Sequence, residues 1–81
     1  NPYPNPFNPQ TSLGFNIPLS AHTNVSVYNV SGALVDVLED SYLESGYHTI
    51  DWNASSQPSG VYFFKITYAD ESIVKKAILI K

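Results

Sequence analysis

Short runs of alternating apolar and polar residues, separated by turn-forming residues, dominate this chain from residue 12 onward. Alternation with a period of two predicts β-strands that bury one face, and short strands about every 8–12 residues are typical of an antiparallel β-sandwich. We therefore predict an all-β antiparallel sandwich of six or seven strands without a helix. The predicted strands cover residues 12–17, 23–30, 33–39, 46–52, 61–68 and 73–81.

The phase of the alternation also predicts which side chains are buried. Within residues 33–39 it places Val35 and Val37 on the same face. Leu34 and Leu38 then share the opposite face. The strand over residues 61–68 is aromatic on both faces, as expected of a central strand, and its predicted core residues are Tyr62, Phe64, Ile66 and Tyr68.

The first nine residues differ from the rest because they hold four of the six prolines. Proline fixes its own φ and favours an extended conformation at the residue before it. We therefore predict an extended, stiff arm over residues 1–9 that connects to an upstream domain. The sandwich domain is expected to cover residues 10–81.

Composition and charge exclude several functional classes. The net charge of −3 and the absence of Arg leave no positive footprint for a nucleic acid. The absence of Cys excludes disulfides and thiolate metal sites, and no apolar run is long enough to cross a membrane.

Catalytic and metal-binding patterns are also missing from the sequence. His48 lies on a predicted strand, whereas His22 lies in a predicted turn, so the two do not suggest a shared metal site. Residues 40–46 are predicted to form a polar loop with solvated acids that lacks the regular spacing of a calcium loop. We expect a non-enzyme without a cofactor or metal.

Three Asn-x-Ser sequons are possible glycosylation sites in an organism with the required enzymes, at Asn24, Asn29 and Asn53. Asn29 precedes a predicted tight turn at Ser31-Gly32. Its side chain is therefore also suited to a hydrogen bond with the backbone of that turn.

Five short motifs stand in order along the chain and together carry a family resemblance. They are Tyr3-Pro4-Asn5-Pro6-Phe7-Asn8-Pro9, Tyr28-Asn29-Val30-Ser31-Gly32, Gly46-Tyr47-His48 with Trp52-Asn53, Ser59-Gly60-Val61-Tyr62-Phe63, and Lys75-Lys76 followed by Leu79-Ile80-Lys81. The chain resembles the type A C-terminal sorting domain of the bacterial type IX secretion system over residues 3–81. It is also similar to the Ig-like domain of flagellar hook-capping proteins, which implies an Ig-like sandwich.

The resemblance implies a role in protein export and a set of partners. Such domains direct folded upstream cargo through the periplasm to an outer-membrane translocon, and then to the cell surface or the extracellular space. In many members a sortase then removes the domain.

The resemblance also implies which residues the machinery recognises. The Pro-Asn-Pro element corresponds to Pro4, Asn5 and Pro6, the Gly-x-Tyr element to Gly60 and Tyr62, and the Lys-rich last strand to Lys75, Lys76 and Lys81. Ser31 departs from the pattern, because a hydrophobic residue often precedes this glycine, and we expect a more exposed turn.

The residues themselves support further expectations. Gly60 follows Pro58-Ser59 and is expected to adopt a φ that a Cβ disfavours. The lysines of the last strand are expected to protect an open sheet edge and to be available to a partner.

Two other functions remain open on the sequence. The first is a retained structural module that self-associates into a surface layer or filament by strand addition. The second is sugar binding by exposed rings, for which the candidates are Tyr3, Tyr42, Tyr47 and Trp52.

Overall fold

A computed structural model describes residues 10–80, and these residues form six β-strands without a helix. The all-β prediction is therefore confirmed. Predictions for the arm, including Pro4, Asn5 and Pro6, and for Lys81 lie outside the described residues. The strands are β1 (Gln10–Ile17), β2 (Ala21–Asn29), β3 (Leu34–Leu43), β4 (Gly46–Asn53), β5 (Gly60–Tyr68) and β6 (Glu71–Leu79).

The six strands form two antiparallel sheets. β1 pairs with β4 in a two-stranded sheet, and the other strands form a four-stranded sheet in the order β3-β2-β5-β6. β2 and β5 are therefore the central strands of the larger sheet, and the central position predicted for β5 is confirmed. β3 and β6 are the two edge strands of this sheet.

The core consists of side chains from both sheets. Tyr62, Phe64, Ile66 and Tyr68 are all buried, as their alternation predicts. Trp52 is only 2% exposed, because its ring packs edge-on against Tyr62 and Phe64 with centroid distances of 5.1 and 5.7 Å. The expectation that Trp52 provides an exposed platform for a sugar is therefore wrong.

β3 departs from simple alternation at two β-bulges. The pairing of β2 with β3 shifts between Val25 and Ser26 and again between Val27 and Tyr28, which leaves Leu38 and Val35 without a direct partner. A bulge changes which face the following side chains point to. Val35 and Leu38 consequently both pack against the core, whereas Leu34 and Val37 are exposed at 55% and 47%. The predicted grouping of Val35 with Val37 is wrong for this reason.

The predicted loop over residues 40–46 is also wrong over most of its length. β3 continues to Leu43, and only two residues separate it from β4. The polar residues of this stretch led to the prediction of a loop. They are polar because β3 is an edge strand whose outer side is solvated. His22, predicted to lie in a turn, is instead on β2 opposite Tyr42.

Candidate recognition site

The corner at the start of β5 contains the Gly-x-Tyr element. Gly60 is exposed and has a φ of +155°, a region that is essentially restricted to glycine. A Cβ at this position would meet no atom within 4 Å, so the backbone conformation and not the available space requires glycine. The expectation of an unusual φ at Gly60 is confirmed.

Tyr62 holds this corner from inside the sandwich. Its ring is 3% exposed, and its hydroxyl donates a hydrogen bond of 2.6 Å to the carbonyl oxygen of Pro58. A tyrosine that bonds to the backbone a few residues upstream is the tyrosine corner found in Ig-like sandwiches. A partner that binds the surface would therefore sense Tyr62 only through the position of residues 58–60.

The corner borders a groove of about 310 Å³ that is lined by residues 29–31 and 57–62. Asn29 shapes one wall, because its Oδ1 accepts hydrogen bonds from the backbone N–H groups of Ser31 and Ala33, both at 3.0 Å. Gly32, with a φ of +86°, completes this turn. Ser31 is exposed, as its departure from the family pattern predicts.

The two neighbouring lysines of β6 have different environments. Lys75 is on the side of β6 that faces the core, between Ile73 and Ala77, and its Nζ reaches the carbonyl oxygen of Gly14 on β1 at 2.8 Å. Lys76 points to the opposite, solvent side, where it pairs with Phe63 of β5. Both lysine side chains are exposed, but Lys75 also connects the two sheets.

The structure brings some of the predicted site residues together. Gly60 pairs with Leu79, and Lys76 pairs with Phe63. Gly60 and Lys76 therefore both lie in the half of the β5–β6 hairpin that is farther from its turn. Lys75 is on the other face, and Tyr62 is in the core.

Each of the three sequon asparagines accepts a local hydrogen bond through its Oδ1. Asn24 accepts from the Ser26 hydroxyl at 2.5 Å, and Asn53 accepts from the backbone N–H of Ser55 at 3.1 Å. Asn29 forms the turn described above, which confirms its expected hydrogen bond with the backbone. These bonds account for the Asn-x-Ser spacing without a glycan, and glycosylation at these positions stays a prediction.

The histidines and acids form pairwise contacts. His22 Nε2 lies 2.6 Å from Asp40 Oδ1, and this hydrogen bond holds the pKa of Asp40 below its ordinary value of 3.8. The His48 ring stacks on Phe15 and its Nε2 lies 2.7 Å from the carbonyl oxygen of Glu44.

Neither a metal-binding cluster nor a membrane-spanning helix is found among residues 10–80. No three His, Asp or Glu residues in this range group closely enough to hold a metal ion. No helix in this part of the chain is long and apolar enough to span a membrane.

Sequence reasoning missed the outer face of the four-stranded sheet. Several large apolar side chains are exposed there, among them the aliphatic residues Leu34 (55%), Val74 (59%) and Ile78 (64%). The signal in the sequence is the presence of aromatic residues on both faces of the strand over residues 61–68, which a central position in an antiparallel sheet does not by itself require.

The comparison with known protein families gives a match over residues 1–81. The matching family model is described as the secretion system C-terminal sorting domain. No curated protein and no solved structure matches the chain.

Proposed function

We propose that the export machinery recognises the β5–β6 hairpin of this chain near Gly60 and Lys76. The premise is that this chain belongs to the family of type IX secretion C-terminal sorting domains. The family gives the role: the domain is a sorting signal that leads to export to the cell surface or the extracellular space. It also implies an upstream cargo domain and an interaction with the secretion machinery.

The match over residues 1–81 is the observation that carries this function. The geometry then suggests a role for each predicted residue that the structure describes. Lys76 is solvent-exposed and available for direct contact, and Gly60 sets the shape of the exposed corner. Tyr62 and Lys75 act indirectly, because one is buried and the other bonds to β1. Pro4, Asn5, Pro6 and Lys81 are proposed contacts on the family resemblance alone.

The proposed partners are an outer-membrane translocon that reads the domain and a sortase that removes it. We propose no catalytic role for the domain. The family match gives no support to the alternative of a retained structural module that assembles by strand addition, and no contact among the described residues favours it.

Export of a fused reporter tests the proposed site. We expect a reporter that carries residues 1–81 to reach the surface of a bacterium with type IX secretion, and deletion of residues 75–81 to leave it in the periplasm. Lys76→Glu should reduce export, whereas the matched surface variant Thr49→Glu on β4 should not. Export of the Lys76→Glu reporter at the unaltered level would contradict the proposed site.

Removal by a sortase is tested separately by mass spectrometry of the native protein from the cell surface and the medium. The proposal predicts residues 1–81 in a periplasmic precursor and their absence from the mature surface protein. Their persistence on the surface would contradict the proposed removal, and the same spectra would show whether Asn24, Asn29 or Asn53 carries a glycan.

A further inference from the structure

The outer face of the four-stranded sheet divides into an apolar half and a polar half. One row across the four strands contains Leu34, Tyr28, Phe63 and Lys76, which are direct cross-strand neighbours. The next row toward the polar half contains Val37, Ser26, Lys65 and Val74. The row on the other side of the first, away from the polar half, contains Val61 paired with Ile78. We call these residues the apolar–lysine face.

The polar half begins one row further along the same strands. Asp40, Asn24, Thr67 and Ser72 form this row, and His22 and Tyr42 form the next. β3 and β6 change from Val37 and Val74 to Asp40 and Ser72 at this level. β2 and β5 become polar one row earlier, at Ser26 and Lys65. An antiparallel sheet that faces water is expected to be polar over its whole outer side, so the apolar half needs an explanation.

Positive charge is concentrated on the apolar–lysine face. Lys65 and Lys76 both belong to it, and no residue in its rows is acidic. On the same face of β3 the acid is Asp40, which lies in the adjacent polar row and bonds to His22. This distribution is notable in a chain with seven acids against four lysines.

We propose that the apolar–lysine face docks onto a protein of the export machinery, on an apolar surface that is bordered by carboxylates. This inference rests on the proposed function and names the chemistry of the partner. Apolar side chains at the centre of an interface supply most of its affinity, and charged residues at its border supply orientation and specificity.

Three other occupants fit the face less well. In a two-fold dimer through this face, the lysines of both copies would enter one interface whose apolar rows contain no carboxylate. An anionic membrane surface would repel a domain with a net charge of −3. Residues 1–9 contain no acidic residue and would leave Lys65 and Lys76 unpaired.

Site-specific photo-crosslinking in exporting cells tests the proposal. The photoreactive residue benzoylphenylalanine would replace Ile78 in the apolar–lysine face, or Thr49 in the two-stranded sheet as the control. We expect a crosslink from position 78 to a secretion protein, within a peptide that contains apolar residues and Asp or Glu. The control at position 49 should give none.

A charge-matched pair of variants then tests the role of the lysines. K65Q/K76Q and N16D/T49E each lower the net charge by two, but only the first changes the apolar–lysine face. We expect K65Q/K76Q to reduce the crosslinked product about tenfold, which corresponds to about 1.4 kcal/mol, and N16D/T49E to leave it unchanged. Urea unfolding of the purified variants would verify that both remain folded.

The remaining outcomes contradict the proposal. A crosslink from position 78 to residues 1–9, to a second copy or to lipid would overturn it, as would equal products from positions 78 and 49. Equal yields from K65Q/K76Q and the unaltered chain would also overturn it. If the unaltered domain fails to export its reporter, the proposed function fails as well; if it exports normally, only the inference about the face fails.

Discussion

Gly60 and Tyr62 show how two residues of one motif stabilise the same corner by different means. Gly60 adopts a φ that other residues avoid, which lets the chain turn from the loop into β5. Tyr62 then fixes the loop through its hydrogen bond to Pro58. The motif therefore preserves the shape of the corner, and a partner that reads this shape depends on both residues.

Replacement of Gly60 by Ala should lower the free energy of unfolding by about 1–3 kcal/mol, the cost of a non-glycine residue in this conformation. Urea unfolding of the purified domain measures this change. Ser72→Ala, at an exposed position on β6, is the control and should change stability by less than about 0.5 kcal/mol. An unfolding free energy unaffected by Gly60→Ala would mean that the corner relaxes easily and is not strained.

Tyr62→Phe should cost about 0.5–1.5 kcal/mol of stability, because it removes the hydrogen bond to Pro58 and leaves the ring in place. The matched control is Tyr42→Phe, since Tyr42 is 65% exposed and its hydroxyl is solvated. Chemical denaturation of both variants gives the comparison. Equal stability of the two variants would refute the proposed role of the Tyr62 hydroxyl.

The edge strands of the two sheets are protected to different degrees. β3 carries two bulges, which disrupt an edge as a template for another strand. On β1, the carbonyl oxygen of Gly14 accepts a hydrogen bond from the Lys75 ammonium group. β6 pairs with β5 without a register shift and, among the described residues, has no partner on its other side. β6 is therefore a more accessible edge than β3.

The different environments of Lys75 and Lys76 predict opposite effects of the same substitution. Lys75→Ala should lower stability by about 1 kcal/mol through loss of the bond to Gly14, with little direct effect on recognition. Lys76→Ala should leave stability unchanged within about 0.5 kcal/mol and reduce export of a fused reporter. Thermal unfolding and the export assay together separate the two residues, and the reverse pattern would contradict their assignment.

The sequence predicts the strands where alternation is regular and fails where it is interrupted. β5 alternates without a bulge, and all four of its predicted core residues are buried. β3 contains two bulges, which depend on its pairing with β2 and leave no local signature in its own residues. The bond between Lys75 and Gly14 also depends on tertiary structure, since 61 residues separate its two partners in the chain. The local sequence therefore does not predict it.

The whole molecule depends on a small core shared by a two-stranded and a four-stranded sheet. A domain of 81 residues is expected to have a free energy of unfolding of roughly 4–12 kcal/mol. One large cavity therefore removes a substantial part of its stability. Among the predicted recognition residues, Tyr62 is part of this core, whereas Gly60 and Lys76 are exposed.

Phe64→Ala should destabilise the domain by about 3–5 kcal/mol, because the ring is buried and contacts Trp52 edge-on. Phe63→Ala is the matched control, since the adjacent ring is half-buried on the outer face of the sheet, and it should cost much less. Circular dichroism during heating measures both. A cooperative transition of Phe64→Ala at the unaltered temperature would contradict the assignment of the core.

The role of this domain as a sorting signal is tested most directly by the location of a reporter that carries residues 1–81 at its C-terminus. The comparison is between cells with an intact type IX secretion machinery and cells that lack its translocon. We predict that the reporter reaches the cell surface or the medium only in the intact cells and remains in the periplasm of the others. Retention in the periplasm of both strains, or equal release from both, would contradict the role of this domain as a sorting signal.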